Sequence, residues 1–250
     1  MKKVKGKPNL FHQFHHQPCL SFPKMKKGKK TKVKRSSKEN VLVFCAHSDD
    51  QIFGPGGTIA KYAKEGKEIC VVIFSYGEMT HPWLKRKVSI EMRVGESRDA
   101  AKVVGYDKNI FLGLTEGKFA EEVNQKGLKK TLKRLILEKK PKKVFTHSID
   151  DPHQDHRDVY YTTAAVIEEL RYDCELYTFD VWNPINFRKR DSPQLYVDIS
   201  DTFNLKIKAL NQFKSQKLSL ITLLWSVYLR AFVNGLHNNC RWAERFYKLK

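Results

Sequence analysis

Cysteine is scarce here and never paired: the 250 residues contain five, an odd number, with no Cys-x-x-Cys spacing. That argues against a disulfide framework and suits a reducing compartment, so a cytoplasmic location is expected. Cys45 and Cys70 stand in apolar, strand-like runs, where thiols usually just pack. The first 40 residues lack the 7–15-residue apolar core of a signal peptide. Long apolar runs are missing too. The most apolar late segment, residues 218–233, has 16 residues and includes Arg230. A membrane span needs about 20 largely uncharged residues. A core helix is the favoured reading, with a membrane-surface face as the weaker alternative. No internal repeat appears at a 20–50-residue period, which excludes solenoids and propellers.

Acidic residues are nearly absent from the start of the chain. Residues 1–40 hold 13 Lys or Arg and one acid, Glu39, out of a formal net charge of +20. Like charge and low apolar content make 1–40 a basic, disordered leader by expectation. It suits an electrostatic arm for nucleic acid or anionic lipid. A solvated tail is favoured, because aromatic interleaving is sparse and no nucleic-acid fold signature follows. His12, His15 and His16 offer at most a loose metal site, since a disordered leader supplies no ordered partners. The rest, 41–250, reads as a single α/β domain. With 41% hydrophobic residues over the whole chain, a substantial core can be buried.

Apolar patterning then places the elements. Residues 41–46 and 68–75 are continuous, β-branched runs that read as buried strands. Shorter strands are expected at 109–112, 143–146 and 176–181, and a more exposed, alternating one at 195–199. Helical spacing covers 56–65, 89–104 (capped by Gly105), 121–139 and 157–170. From 203 onward the chain reads as helical, broken at 238–239. Alternating strands and helices imply parallel pairing with helices on both faces. The expected fold is a three-layer, Rossmann-like, doubly wound α/β sheet, mostly parallel, with C-terminal helices.

In such folds ligands bind beyond the carboxyl ends of the strands. Two chemically loaded clusters sit there. After the first strand, "AHSDD" supplies His47, Asp49 and Asp50. After the fourth, "THSIDDPHQDHR" supplies Asp151, His153, Asp155 and His156. Both loops emerge at one sheet edge, so the clusters can meet. Imidazole and carboxylate are suitable ligands for zinc, and two His with one carboxylate leave a fourth position for water. Bound zinc lowers that water's pKa to about 7, and a spare carboxylate can take its proton. Either cluster alone is weak, since Asp49 or Asp50 could simply cap a helix. Together they point to a metal site.

"AHSDDQ" (46–51) and "HQDH" (153–156) resemble the two motifs of the LmbE-like, PIG-L-type zinc-dependent N-deacetylases. "GGTIAKYAKEGKEICVVIFSYGE", "EMRVGESRDAAKVVGY", "LKIKALNQFKSQ" and "NCRWAERFYKL" extend the resemblance over about 41–246. The resemblance implies one zinc ion per chain held by His47, Asp50 and His156. It implies Asp49 as general base and His153 as oxyanion stabiliser or proton donor to the leaving amine. Asp155 would orient or charge His153. Arg93 falls at a substrate-binding position, against the alternative of a helix-surface ion pair with Glu96 or Glu91. Glu116 falls near sugar hydroxyls. The implied reaction is removal of an N-acetyl group from N-acetylglucosamine or a glucosamine-containing conjugate by attack of zinc-bound water. The implied partner is therefore a small acetylated amino sugar.

Two positions depart from the family pattern. Ser48 replaces the usual Pro, which predicts a slightly looser turn. Gln51 replaces the usual Glu and removes a charge. Two readings compete: a non-haem iron enzyme on the same His/His/Asp set, and a basic binding protein without turnover. The rim loops, "YGEMTHPWLKRK" and "WNPINFRKRD", carry Lys and Arg beside Trp83, Trp182 and Phe187. They suit either an anionic sugar conjugate or an ordinary solvated rim.

Overall fold

The computed structural model describes residues 39–80, 83–106, 108–183 and 192–250. Residues 1–38 and Phe187 lie outside them, so the expectations for the leader and for that aromatic are not addressed by the fold.

The elements run β1 (Asn40–Cys45), α1 (Asp50–Phe53), α2 (Gly56–Lys64), β2 (Glu68–Ile73), α3 (Arg86–Val104), β3 (Lys108–Phe111), α4 (Phe119–Gln125), α5 (Leu128–Lys139), β4 (Lys143–His147), α6 (Gln154–Leu170), β5 (Glu175–Phe179), β6 (Gln194–Asp198), α7 (Phe203–Leu210), α8 (Lys217–His237) and β7 (Ala243–Lys248). The sheet order is β3-β2-β1-β4-β5-β7-β6. The first five strands are parallel, and β7 is antiparallel to both β5 and β6. The mostly parallel α/β fold expected from the patterning is what forms.

β1 has both faces buried, which is why it reads as an unbroken apolar run. Val41, Val43 and Cys45 point into a core with α2, α3, α7 and α8. Leu42, Phe44 and Ala46 point into a second core with α4, α5 and α6. Each fully buried Val, Leu or Phe contributes about 1.5–3 kcal/mol of transfer free energy. The chain leaves β1 for β2 and β3 on one side, then returns to lay β4 on the other. The switch point therefore falls between the carboxyl ends of β1 and β4.

Three expectations need correction. The helix expected over 121–139 is two helices. Gly127, at φ 60°, turns the chain in the left-handed region and caps the start of α5. The tail expected to be helical ends instead in strand β7, inserted between β5 and β6. Its six residues are too few for period to separate strand from helix; Ala243 and Phe246 are buried, and Phe246 packs edge-on against Phe145 at 4.9 Å. The reversal after α8 uses Asn239 at φ 51° and Gly235, where a Cβ would lie 2.6 Å from the Cys240 carbonyl oxygen. Finally, α8 is not a core helix. Its inner side packs through Leu223, Val227 and Ala231, while Leu218, Ile221, Trp225 and Leu236 are more than half exposed. Among the described residues no helix is long and apolar enough to cross a membrane.

β7 also braces the first helix pair. The Glu244 carboxylate accepts from the backbone N–H groups of Gly57 (2.9 Å) and Thr58 (2.7 Å). These are orphan donors at the start of α2, where an anion is favoured. Lys206 of α7 donates to Glu244 (2.6 Å) and to the carbonyls of Phe53 (2.9 Å) and Gly54 (2.8 Å).

Candidate metal centre

β1 delivers Ala46, and the chain then turns sharply. The backbone N–H of His47 donates to the Asp50 carboxylate at 2.7 Å. The Asp49 carbonyl accepts from Ile52 (2.9 Å) and Phe53 (3.0 Å), starting α1. Ser48 is fully buried, and the turn expected to loosen there is tied across: the Gln51 amide donates to the Ser48 carbonyl at 2.8 Å. A glutamate carboxylate could not make that bond. Gln51 thus supports the turn by donation instead of charge.

The second cluster arrives from β4 and α6. His153 stands before α6, and its Nδ1 accepts from the Asp155 backbone N–H at 3.2 Å. Helix α6 starts three residues earlier than its apolar spacing suggests, so Asp155 and His156 lie in its first turn.

The two clusters meet. Ligand atoms of His47, Asp50 and His156 all lie within 4.8 Å of one another. His47 Nδ1 is 3.4 Å from Asp50 Oδ2, and His156 Nε2 is 3.4 Å from Asp50 Oδ1. His47–His153–Asp155 and His147–Asp151–His156 form adjoining groups of the same kind. The donor set fits a divalent cation on the structure's own evidence. Both ring nitrogens of His156 are buried without an aligned hydrogen bond, although carboxylates stand 3.0 and 3.4 Å away. Buried polar atoms of that kind call for a partner.

Electrostatics agree with a cation site. Burial opposes charge on His156, but Asp50 and Asp151 outweigh it and raise its pKa to about 9. Burial likewise opposes charge on His47, and its bonds to Asp155 and Asp50 push its pKa well above the usual imidazole value. The metal-free pocket therefore holds protons where a metal would carry the positive charge. His153 goes the other way. Burial, then the neighbouring His47 and His156, lower its pKa.

The remaining candidates are also placed. Asp49 is 3.5 Å from an Arg93 nitrogen. Arg93 is only 1% exposed, so a surface ion pair is not its setting. It sits 3.8 Å from Glu96 and faces Gly77, where φ is +74° and a Cβ would lie 2.9 Å from its Nε. Glu116 faces His47, and burial raises its pKa. His47, Asp49, Asp50, Arg93, Glu116 and His153 line a cavity of about 130 Å³, together with Trp182, Gln216 and Leu223. A larger cavity of about 290 Å³, beneath α8, contains none of the two clusters' residues, so size alone does not mark the site. Asp155 serves two histidines: its carboxylate stands near enough to His153 to favour charge there. The carboxylate hydrogen-bonds His47 Nε2 (3.2 Å) and the Gly117 N–H (2.8 Å), whereas the hydrogen bond to His153 comes from the Asp155 backbone N–H.

Two residues had no assigned role in the sequence reading. Asp151 lies 3.0 Å from His156 Nδ1 and accepts from the N–H groups of His153 (3.0 Å), Val181 (3.3 Å) and Trp182 (3.2 Å). It thus ties His156 to the end of β5, the outer support typical of a metal-binding histidine. His147 ends β4. It stacks on His156 at 3.9 Å, lies 3.2 Å from Asp50, and accepts from the Ala46 N–H at 3.1 Å. Its position mirrors that of His47 after β1, and that symmetry was the available signal.

Fold and site together define a class: a doubly wound α/β protein with a candidate metal centre at its switch point. Within that class the chain belongs to the PIG-L family. The family profile, described as GlcNAc-PI de-N-acetylase, matches residues 42–167, which is 126 of 250. The diacetylchitobiose deacetylase of Thermococcus kodakarensis is 26% identical, over 82% of this chain and 81% of its own length. The structure of the N,N'-diacetylchitobiose deacetylase of Pyrococcus horikoshii superposes with a TM-score of 0.70 at 21% identity, covering 85% and 84% of the two chains. The 4-carboxy-2-hydroxymuconate hydratase GalB of Pseudomonas putida KT2440 superposes equally well, with a TM-score of 0.71 at 21% identity over 85% and 96%. At those identities the superpositions speak for fold alone.

Proposed function

We propose that this protein is a zinc-dependent hydrolase that removes the N-acetyl group of N-acetylglucosamine or a glucosamine-containing conjugate. The observation that carries the reading is the convergence of His47, Asp50 and His156 beside a further carboxylate, Asp49, that lines the same cavity. Family membership and the relative that deacetylates diacetylchitobiose support the substrate class.

His47, Asp50 and His156 would hold one zinc ion per chain. When bound, zinc would polarise the acetyl carbonyl and lower the pKa of the attacking water. Asp49 takes the proton from that water, and the Arg93 guanidinium behind it holds the carboxylate in place. Tetrahedral charge develops on the former carbonyl oxygen. His153, beside His47 with ring centroids 5.0 Å apart, donates to that oxygen or to the departing amine. Asp155 holds His47, and Glu116 faces the sugar hydroxyls.

The test is acetate release from N-acetylglucosamine, diacetylchitobiose and their conjugates. Chelation should abolish release, and zinc should restore it better than anaerobic ferrous iron. Asp49→Asn should keep the metal and lose about 10²–10⁴ in kcat. Acetate release that survives complete metal removal, or an Asp49→Asn variant as fast as the parent, would refute the assignment.

A further inference from the structure

We propose that α8 is an interfacial helix that lays its outer face on an anionic lipid surface. Leu218, Ile221, Trp225, Tyr228, Leu229, Phe232, Val233 and Leu236 are all exposed, from 38% to 77%. At 100° per residue these positions fall within an arc of about 140° along a helix roughly 30 Å long. No charged side chain interrupts the arc. Arg230 is turned inward and donates to the Asp180 carbonyl at 2.7 Å. An exposed apolar patch of this extent marks an interaction surface.

The charge of the segment that carries the stripe argues for the occupant. From Thr202 to Ala243 the chain has no Asp or Glu and six Lys or Arg. Four of these cations, Lys208, Lys214, Lys217 and Arg241, are exposed. A second copy docked about a two-fold axis would set this segment against itself, with no carboxylate in it to answer the cations. An anionic lipid surface supplies acyl chains for the stripe and phosphates for the lysines. Trp225 and Tyr228 are aromatics of the kind that settle at the boundary between apolar and wet regions. The helix lies on the surface without crossing, consistent with its having no membrane-spanning stretch. Its inner side carries Leu223, and Gln216 immediately precedes it; both line the cavity of His47 and Asp49. Docking would therefore set that cavity about one helix diameter, roughly 10 Å, from the headgroups.

The test is co-sedimentation of the full-length chain with phosphatidylcholine vesicles, with and without phosphatidylglycerol. Binding should require the anionic lipid and weaken in high salt. Ile221→Glu with Trp225→Glu should lower the partition coefficient at least tenfold. The basic leader remains in that variant, and its melting temperature should be unchanged because both side chains are more than half exposed. Vesicle binding does not depend on turnover, so it can succeed or fail independently of the deacetylase reading. Three results would overturn the proposal: no binding to either vesicle, equal binding by the variant, or a parent dimer that the variant turns into a monomer with no lipid binding.

Discussion

Replacing Glu244 by glutamine should destabilise this protein far more than one surface amide would suggest. Glu244 is 6% exposed and Lys206 is 3% exposed. The carboxylate answers three donors: Lys206 at 2.6 Å and the first N–H groups of α2 at 2.9 and 2.7 Å. Glu244→Gln removes the charge and turns one acceptor into a donor facing a donor. The amide oxygen can still accept from Lys206 and Gly57, but the amide nitrogen then faces the Thr58 N–H and the Lys206 ammonium is left buried without a counter-charge. Breaking one side of a buried pair costs about 3–5 kcal/mol. For a chain of this size each kcal/mol moves Tm by roughly 2–4 °C, so the loss should reach about 10 °C. Burial already holds the Lys206 pKa below the usual lysine value, with Glu244 opposing. Without Glu244 it falls further. The unfolded chain then binds more protons at alkaline pH, so the variant's stability should rise with pH. Its deficit against the parent should therefore shrink between pH 7 and pH 9.5. Lys206→Met with Glu244→Gln should cost less than the sum of the single changes, because no lone charge remains. Urea unfolding of the four proteins at both pH values is the assay. A Glu244→Gln deficit within about 1 kcal/mol of zero, or strict additivity, would refute the reasoning.

Asp151→Asn should weaken metal binding by roughly 10–100-fold while leaving the fold intact, since it removes the charge behind His156; metal titration against a chromophoric chelator reads this directly. Metal-free protein should lose stability as pH rises from 6 to 8.5. The raised His156 pKa, about 9, stabilises the fold fully below the unfolded value near 6.5 and ceases to as pH climbs through 9. Metal-loaded protein should do the reverse, because the proton on His156 must leave before a metal binds. Chelated samples with equal unfolding midpoints at pH 6 and 8.5 would contradict the assignment of charge to His156.

Much of the fold and the site was legible in the chain because the signals are local. The apolar run before His47 has to be buried on both sides, so a parallel strand followed, and strand ends are where such sheets bind ligands. Errors fell where a local signal was short or ambiguous. One glycine, Gly127, divided a helix whose apolar spacing continues across it. The six residues of β7 carried no decisive period, and only pairing with β5 and β6 made them a strand. α8 has apolar residues almost all round, so its spacing could not say which side would stay wet.

By itself the sequence determined that His47, Asp49, Asp50, His153, Asp155 and His156 would stand at one edge of an α/β sheet, because strand periodicity and chain order are one-dimensional. Tertiary structure alone decided the partners, because a contact depends on which atoms face each other in three dimensions. It gave Asp155 to His47, placed Asp151 and His147 against His156 and Asp50, and buried Arg93 behind Asp49. It also joined Lys206 to Glu244 across 38 residues to hold the start of α2. Gln51 shows both levels at once: its loss of charge is written in the sequence, but the bond that gives it a purpose exists only in the folded turn.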